Sequence, residues 1–519
     1  MATPASILWV DDEIDLLGSH IIFLEQRGYH VQKAINGVDA IELVRNNVFD
    51  IVFLDENMPG LSGLETLTQI KELKPHLPVV MVTKSEEENI MDMAVGSQIA
   101  DYLIKPVNPN QILLSIKKHV HGKTLVSAKQ TSDYGVEFSQ LSEQIAAAQS
   151  YSDWVELYRR LSAWQLRISD NSEPNLRQML DMQMAEANQL FSRYVRSSYI
   201  GWFKGNQDDK PLLSPNLLRS KVFPLLDSGE KVLLVLIDNL RYDQWKAIEP
   251  LLADEWRVES DDVYFSILPT ATQYARNAIF AGLMPLEIQQ MFPDIWISDD
   301  DDEGKNNYEL QLLTSQLQRL GKSYKVHYEK GSTLRAGMPI ADNVNLVLNN
   351  NLTVLVINFV DMMSHARTDS NMMKELASDE AAYISLVRSW FQHSDLRNIL
   401  LEAARFDIKV VITTDHGSIR VQNPIKVVGD RATSTNLRYK LGRSLAFNTK
   451  EVFEVRDPET AHLPKPNVSS SFIFAYGSNF FVYPNNYNYF ASYYRNTFQH
   501  GGISLEEMII PVVVLTPNR

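Results

Sequence analysis

Residues 410–420 read "VVITTDHGSIR". Val410, Val411, Ile412, Thr413 and Thr414 are all β-branched, a run that suits a buried strand better than a helix. Asp415 and His416 follow at once, so the strand carries a carboxylate and an imidazole at its carboxyl end, where open α/β sheets bind their ligands. Working outward, two more strands of the same kind appear, "KVLLVLIDN" (231–239) and "LTVLVINFVD" (352–361), with Asp238 and Asp361 just past them. Long helical stretches separate the three, which predicts an α/β domain over residues 206–519. It begins after the turn-rich "GWFKGNQDDKPLLSP".

The first 122 residues show the same alternation on a smaller scale. "SILWVDDE", "DIVFLDENMPG", "LPVVMVTKS" and "DYLIKPV" read as strands with amphipathic segments between them, the pattern of a parallel, doubly wound sheet. Between them lies 123–205, where strands stop and Leu141, Ile145, Trp154, Leu157, Tyr158, Leu161 and Trp164 recur at helical spacing, which predicts a helical bundle connector. Residues 121–205 carry nine Lys or Arg against nine Asp or Glu, a balance that disfavours a DNA-reading helix there. The run "SDDDDEG" at 298–304 reads as a solvated loop.

At 519 residues the chain is long enough for about three domains. Its net charge of −15 argues against general attraction to nucleic acid or an anionic membrane. With no cysteine, disulfides, thiolate metal sites and cysteine nucleophiles are all excluded. No stretch has the length of apolar sequence that a membrane helix needs, and the expected location is cytoplasmic.

Two constellations carry chemistry. In the first, Asp11, Asp12 and Asp55 end two strands, Thr83 ends a third, and Lys105 precedes Pro106. Clustered acids hold Mg²⁺ through oxygen, while a lysine and a hydroxyl meet the oxygens of an incoming phosphoryl group. In their order and spacing, "VDDE", "LDENMPGLSG", "VTKS" and "YLIKP" make this segment resemble the receiver domain of two-component response regulators, a flavodoxin-like fold. The resemblance implies Asp55 as phosphoacceptor, Asp11, Asp12 and the backbone of Asn57 as magnesium ligands, Thr83 and Tyr102 as switch residues, Lys105 on the phosphoryl group and a sensor histidine kinase as partner. It also implies a homodimer that forms on phosphorylation.

The second constellation answers what Asp415 and His416 are for. Asp238 ends a strand, Thr272 stands ahead of a helix, Asp361 and His365 are four apart and so share a helix face, and "FQHGG" supplies His500. These residues resemble the alkaline phosphatase superfamily, and within it the PglZ-type domains. Carried over, one metal takes Asp238, Thr272, Asp415 and His416, and the other takes Asp361, His365 and His500. Thr272 stands at the nucleophile position, although a threonine before a helix also serves as an N-cap. Three imidazoles among seven ligands favour two Zn²⁺ over Mg²⁺, with Mn²⁺ suited to the same set. Gln273, Tyr274, Ala275 and Arg276 stand where the nucleotide phosphodiesterase branch has Phe-Pro-Asn, which makes Arg276 the substitute anion partner. Taken whole, the order receiver, helical connector, PglZ-like domain resembles the PorX-like response regulators linked to type IX secretion in Bacteroidota.

The expected function is a response regulator whose output is a zinc-dependent phosphodiesterase acting on nucleotides or oligonucleotides. Arg420, Lys426, Arg431, Arg438, Lys440 and Arg443 lie between two ligands of one site and would hold further phosphates, Arg438 and Arg443 above all. Tyr476, Phe480, Tyr483, Tyr487 and Tyr493 offer rings for bases. The competing expectation is a regulatory binding protein, its metal site structural or sensing, that acts through a sigma factor or a secretion component. A DNA-binding transcription factor is a weaker one, since no helix-turn-helix pattern is evident.

Overall fold

The computed structural model describes residues 5–83, 99–120, 122–168, 174–204, 210–297, 306–331, 345–369, 375, 377, 379–430 and 433–518, with the backbone alone at 122–132, 174, 367 and 369. The acidic run at 298–304 and Arg431 lie outside the described residues. The chain divides into two compact units, Met1–Asp133 and Tyr134–Arg519.

In the first unit, β1 (Ser6–Val10), β2 (His30–Ala34), β3 (Ile51–Asp55), β4 (Val79–Thr83) and β5 (Asp101–Ile104) form one sheet in the order β2-β1-β3-β4-β5. Every pairing is parallel, and the order is that of flavodoxin-like folds. The inner strands β1, β3 and β4 are almost wholly apolar because each face has its own core, whereas the edge strands β2 and β5 are only partly buried. Leu8, Val10, Val52 and Leu54 point into one. Ile7, Trp9, Ile51 and Phe53 point into the other, as the two-residue period of a strand requires. Helix α1 (Gly63–Leu73) starts with a reciprocal cap: Ser62 Oγ accepts from Glu65 N–H, and the Glu65 carboxylate accepts from Ser62 N–H. The helix crowds the end of β3 so closely that a Cβ on Gly63 would collide with the carbonyl of Asp55 and with Glu56 Cα. Only glycine lets the chain fold back over Asp55.

In the second unit, α2 (Gly122–Ala147), which runs across the division between the units, α3 (Tyr151–Arg167) and α4 (Pro174–Ser198) enclose Tyr134, Leu141, Trp154, Trp164 and Phe191. The same core contains Tyr242, Phe265 and Leu268 of the α/β portion. Phe191 and Trp202 both set their rings edge-on to Phe265. From Tyr134 onward, the connector shares its interior with the C-terminal domain.

The main sheet of this unit contains β6 (Val232–Ile237), β7 (Trp256–Phe265), β8 (Val326–Gly331), β9 (Leu352–Ile357), β10 (Lys409–Thr413) and β18 (Ile509–Pro517). Their order is β7-β18-β10-β6-β9-β8. Strands β10, β6, β9 and β8 run parallel, and β18 is antiparallel to both of its neighbours. The wholly buried β6 sends Leu233, Val235 and Ile237 into one core and Val232, Leu234 and Leu236 into the other. Burying each such side chain contributes about 1.5–3 kcal/mol. After β6 the chain passes to β7 at the edge beyond β10, crosses to β8 and β9 on the other side and returns through β10, so β9 and β10 flank β6 and the ends of the three border a topological switch point. Between β10 and β18 lie short strands: β11 (Ile419–Arg420), β12 (Asn423–Lys426), β13 (Tyr439–Gly442), β14 (Val452–Val455), β15 (Ser471–Ala475), β16 (Asn479–Val482) and β17 (Phe498–Gln499).

Candidate functional site

In the first unit the strand ends bring Asp11, Asp12 and Asp55 together, with a carboxylate oxygen from each within 4.8 Å of the others. Lys105 Nζ lies 2.8 Å from Asp11 and 3.0 Å from Asp55. Burial raises the Asp55 pKa against the opposing pull of Lys105. Burial works against the charge of Lys105, but its bonds to the two carboxylates prevail and its pKa rises. The three carboxylates fit a hard divalent cation bound through oxygen, with the Lys105 ammonium beside them. Asn57 is exposed beside it, and Tyr102 is half-buried on β5. The sequence reading missed Glu56. Its side chain, nine-tenths buried, accepts a hydrogen bond from the Thr83 hydroxyl.

The second unit gathers its ligands at the switch point. Asp238 follows β6, Asp415 and His416 follow β10, and Asp361 and His365 lie on α7 (Phe359–Asp369), which starts just after β9. His500 follows β17. They fall into two groups, Asp238 with Asp415 and His416, and Asp361 with His365 and His500, with one ligand atom per residue within 4.8 Å inside each group. His500 Nε2 lies 3.5 Å from Asp361, and His365 Nε2 lies 3.3 Å from it. The rings of His416 and His500 stack at 4.1 Å, which puts the two groups side by side.

Backbone carbonyls settle the tautomers. His416 Nδ1 lies 3.1 Å from the carbonyl of Gly417, and His500 Nδ1 lies 3.1 Å from that of Thr270. A carbonyl only accepts, so each Nδ1 carries the proton and each Nε2 presents a lone pair to the centre. Burial, followed by the neighbouring His416, lowers the His500 pKa to about 3, which keeps it neutral. Gly417 is required for close approach, because a Cβ there would strike the Glu506 carbonyl.

Thr272 is the first residue of α5 (Thr272–Ala281), and Ala271 occupies the N-cap position. Its hydroxyl is therefore free of capping duty. It lies 3.0 Å from His416 Nε2 and 3.4 Å from Asp238 Oδ1, at the positive end of the helix dipole, where an anion is favoured.

Two expectations about cations fail. Arg276, on α5 and 1 % exposed, pairs with Asp238, donates to Asp415 at 2.9 Å and donates to Asn358 at 3.1 Å. Every arm is engaged with the protein, so Arg276 braces the ligand carboxylates from behind and is not an open anion partner. Arg438 is completely buried and makes a two-pronged ion pair with Glu507, 3.2 and 2.6 Å long; it cannot reach a substrate. Its neighbour Lys440 is also buried, with Nζ on the Ser434 carbonyl at 2.9 Å and 4.5 Å above the Tyr483 ring, and burial pushes its pKa down to about 7. Arg443 is exposed just after β13. Phe480 is buried in a small cluster that Tyr487 packs against, so neither ring forms an open platform. An arginine in a polar run reads as solvated, and only the fold reveals Glu507 waiting for it.

The pair has a different task. Glu507 also accepts from Gly502 N at 2.9 Å and from Ser504 Oγ at 2.7 Å. Thr270 Oγ1 accepts from Gly501 N at 3.0 Å and donates to the Gly502 carbonyl at 2.9 Å. Arg438, Glu507 and Thr270 thus fasten the loop that presents His500.

Three carboxylates, Asp238, Asp361 and Asp415, share this site with one guanidinium and imidazoles that include two held as lone-pair donors. That leaves a formal excess of two negative charges, which cations must offset. The donors fit divalent ions: Asp238, Thr272, Asp415 and His416 for one, Asp361, His365 and His500 for the other.

Residues 217–515 match the family model for the BREX system PglZ alkaline phosphatase-like domain. The chain belongs to the PglZ family. Its PglZ domain is preceded by a response regulator receiver domain at 7–117 and a PorX response regulator linker domain at 124–203, the architecture of a PorX-like response regulator. This PglZ protein therefore has the domain make-up of a two-component response regulator, with an alkaline phosphatase-like C-terminal domain. Receivers and alkaline phosphatase-like domains generally bind divalent metals. The chain is 33 % identical over 140 residues to the transcriptional regulatory protein ZraR of Klebsiella oxytoca, covering 27 % of this chain and 32 % of that protein. It is 27 % identical over 172 residues to the transcriptional regulatory protein SrrA of Staphylococcus aureus, covering 33 % of this chain and 71 % of that one. It spans about a third of the first curated relatives it matches. A CheY-like receiver domain protein from Methanospirillum hungatei JF-1 aligns at 28 % identity over 23 % of this chain and 95 % of its own, with a TM-score of 0.22. No described helix is long and apolar enough to cross a membrane.

Proposed function

We propose that phosphorylation of Asp55 governs a zinc-dependent phosphodiesterase in the PglZ domain that acts on nucleotides or oligonucleotides. The observation that carries this reading is the Thr272 hydroxyl at a helix N-terminus, beside the first of two adjoining ligand groups that together hold a net negative charge. Asp238, Thr272, Asp415 and His416 would hold one zinc and Asp361, His365 and His500 the other. A pair of divalent ions supplies charge stabilisation to the attacking and leaving oxygens of an in-line displacement at phosphorus.

The chain's own groups set up the rest. Thr272 Oγ is the attacking atom: its bond to phosphorus forms as the bond from phosphorus to the leaving alcohol oxygen breaks, and the hydroxyl proton ends on that departing oxygen. Water then attacks that phosphorus as the bond to Thr272 Oγ breaks, one water proton returns to Thr272 Oγ, and the phosphate monoester leaves with the water's oxygen. Arg276 holds Asp238 and Asp415 in register, and the carbonyls of Gly417 and Thr270 keep both imidazoles facing inward. With Arg276 and Arg438 buried, contact with the phosphates of a nucleotide falls to Arg443, the exposed one of the three. In the cell this activity would serve type IX secretion, through a homodimer formed on phosphorylation and contact with a sigma factor or secretion component.

Bis-p-nitrophenyl phosphate, a short RNA and p-nitrophenyl phosphate, compared at fixed zinc, test the reading. Faster turnover of the diesters, lost in Thr272→Ala, is the expected result. Faster monoester turnover, or rates indifferent to Thr272→Ala, would move the site to a monoesterase or a metal sensor.

A further inference from the structure

Asn239, directly after the ligand Asp238, is completely buried and has φ of 65°, a left-handed conformation that asparagine tolerates better than most residues. Its side chain reaches across to α7. Nδ2 donates to Asp361 Oδ1 at 3.1 Å and to Ser364 Oγ at 3.2 Å. The acceptors dictate which way the amide faces. An ionised carboxylate only accepts, and the Ser364 hydroxyl proton is already committed to the Asp361 carbonyl at 2.7 Å, so both contacts require N–H. The amide spends both hydrogens on this one turn of α7 and leaves the buried Oδ1 without a hydrogen-bond partner among the described residues. Buried amides rarely give up an acceptor in this way unless the donated bonds serve a purpose.

We infer that Asn239 is the positioning residue of the second metal site: it holds Asp361 in the rotamer that faces His365 and His500, and so links the turn that carries the first ion to the helix that carries the second. The inference rests on the two-metal reading. Asp361 is the one ligand that His365 and His500 both approach, and it emerges from the first turn of a helix, where a carboxylate has several staggered rotamers to choose from. Asn239 and Ser364 remove that choice. Neither is hydrogen-bonded to the side chains of Asp238, Asp415 or His416, so their loss should act on one ion and spare the other.

Zinc titrated calorimetrically into the metal-stripped full-length chain, with bound zinc counted after desalting, tests this. Asn239→Gly keeps the left-handed backbone without strain and removes only the amide. The expected result is two equivalents in the wild type, and in the variant one ion at unchanged affinity and the other weakened at least about tenfold, as for a lost outer-sphere partner. Ser364→Ala is expected to weaken the same ion, and it carries the test should the glycine variant not fold. Two ions at unchanged affinity in both variants, or both ions weakened alike, overturns the inference and leaves the two-metal reading in place. A wild type that takes up no zinc overturns both.

Discussion

At the scale of single residues, burial decides what a charged side chain can do. Arg276, Arg438 and Lys440 look alike in the sequence, yet two are bound to carboxylates and the third meets a carbonyl and a ring, with no carboxylate among the described residues. Lys440 has the testable consequence. Its folded pKa of about 7 lies below the ordinary 10.5, so between those values the unfolded chain binds the proton and the folded chain does not, and stability rises with pH there. Lys440→Met is expected to be more stable than the wild type below pH 7 and to flatten the rise between about 7 and 10.5, by up to about 1.4 kcal/mol per pH unit. Urea unfolding at several pH values measures it; parallel curves would contradict it. In the receiver, the Thr83 hydroxyl has one proton, given to Glu56; under the proposed phosphorylation of Asp55, a phosphoryl oxygen would compete for it. Glu56→Gln replaces a charged acceptor with a neutral one, a difference of about 1 kcal/mol. The expected effect is a phosphorylated form that lasts about fivefold longer, read by loss of radiolabel from Asp55. An unchanged lifetime would show that Glu56 does not compete.

At the scale of elements, strands β1, β3, β4, β6, β9 and β10 were legible because each is covered on both faces and reads as an unbroken apolar run. The ligands at their ends were legible for the same reason, since a carboxylate that closes a buried run stands out. Strands β7 and β8 were not. They are the edges of the sheet, half-exposed, and the "ESDD" within β7 has the composition of a loop. Strand β18 carries Pro511 and Pro517, which argue against a strand lying inside a sheet. Asn239, Glu56 and Glu507 left no trace in the pattern because their importance lies in the side chains that the fold brings to them. The connector was legible as helices, but its dependence was not: Tyr158 packs on Tyr242, and Phe191 and Trp202 pack on Phe265. A fragment of 206–519 is therefore expected to melt at least about 10 °C below one of 134–519, since it loses several side chains worth about 1.5–3 kcal/mol each. Circular dichroism melts decide it, and equal midpoints would make the connector an independent bundle.

At the scale of the whole molecule, a receiver and a PglZ domain are joined by a connector whose last two helices and most of its first belong structurally to the output. The C-terminal unit therefore includes its own helical attachment. All of this rests on the two ligand groups at the switch point of the second sheet holding two ions. Zinc counted in purified full-length protein after metal-free dialysis and zinc add-back, in the wild type and in Asp361→Ala and Asp415→Ala, tests that claim most directly. The account predicts two equivalents in the wild type and one in each variant, with the receiver still taking up beryllofluoride and Mg²⁺. Two equivalents in both variants, or none in the wild type after add-back, would contradict it.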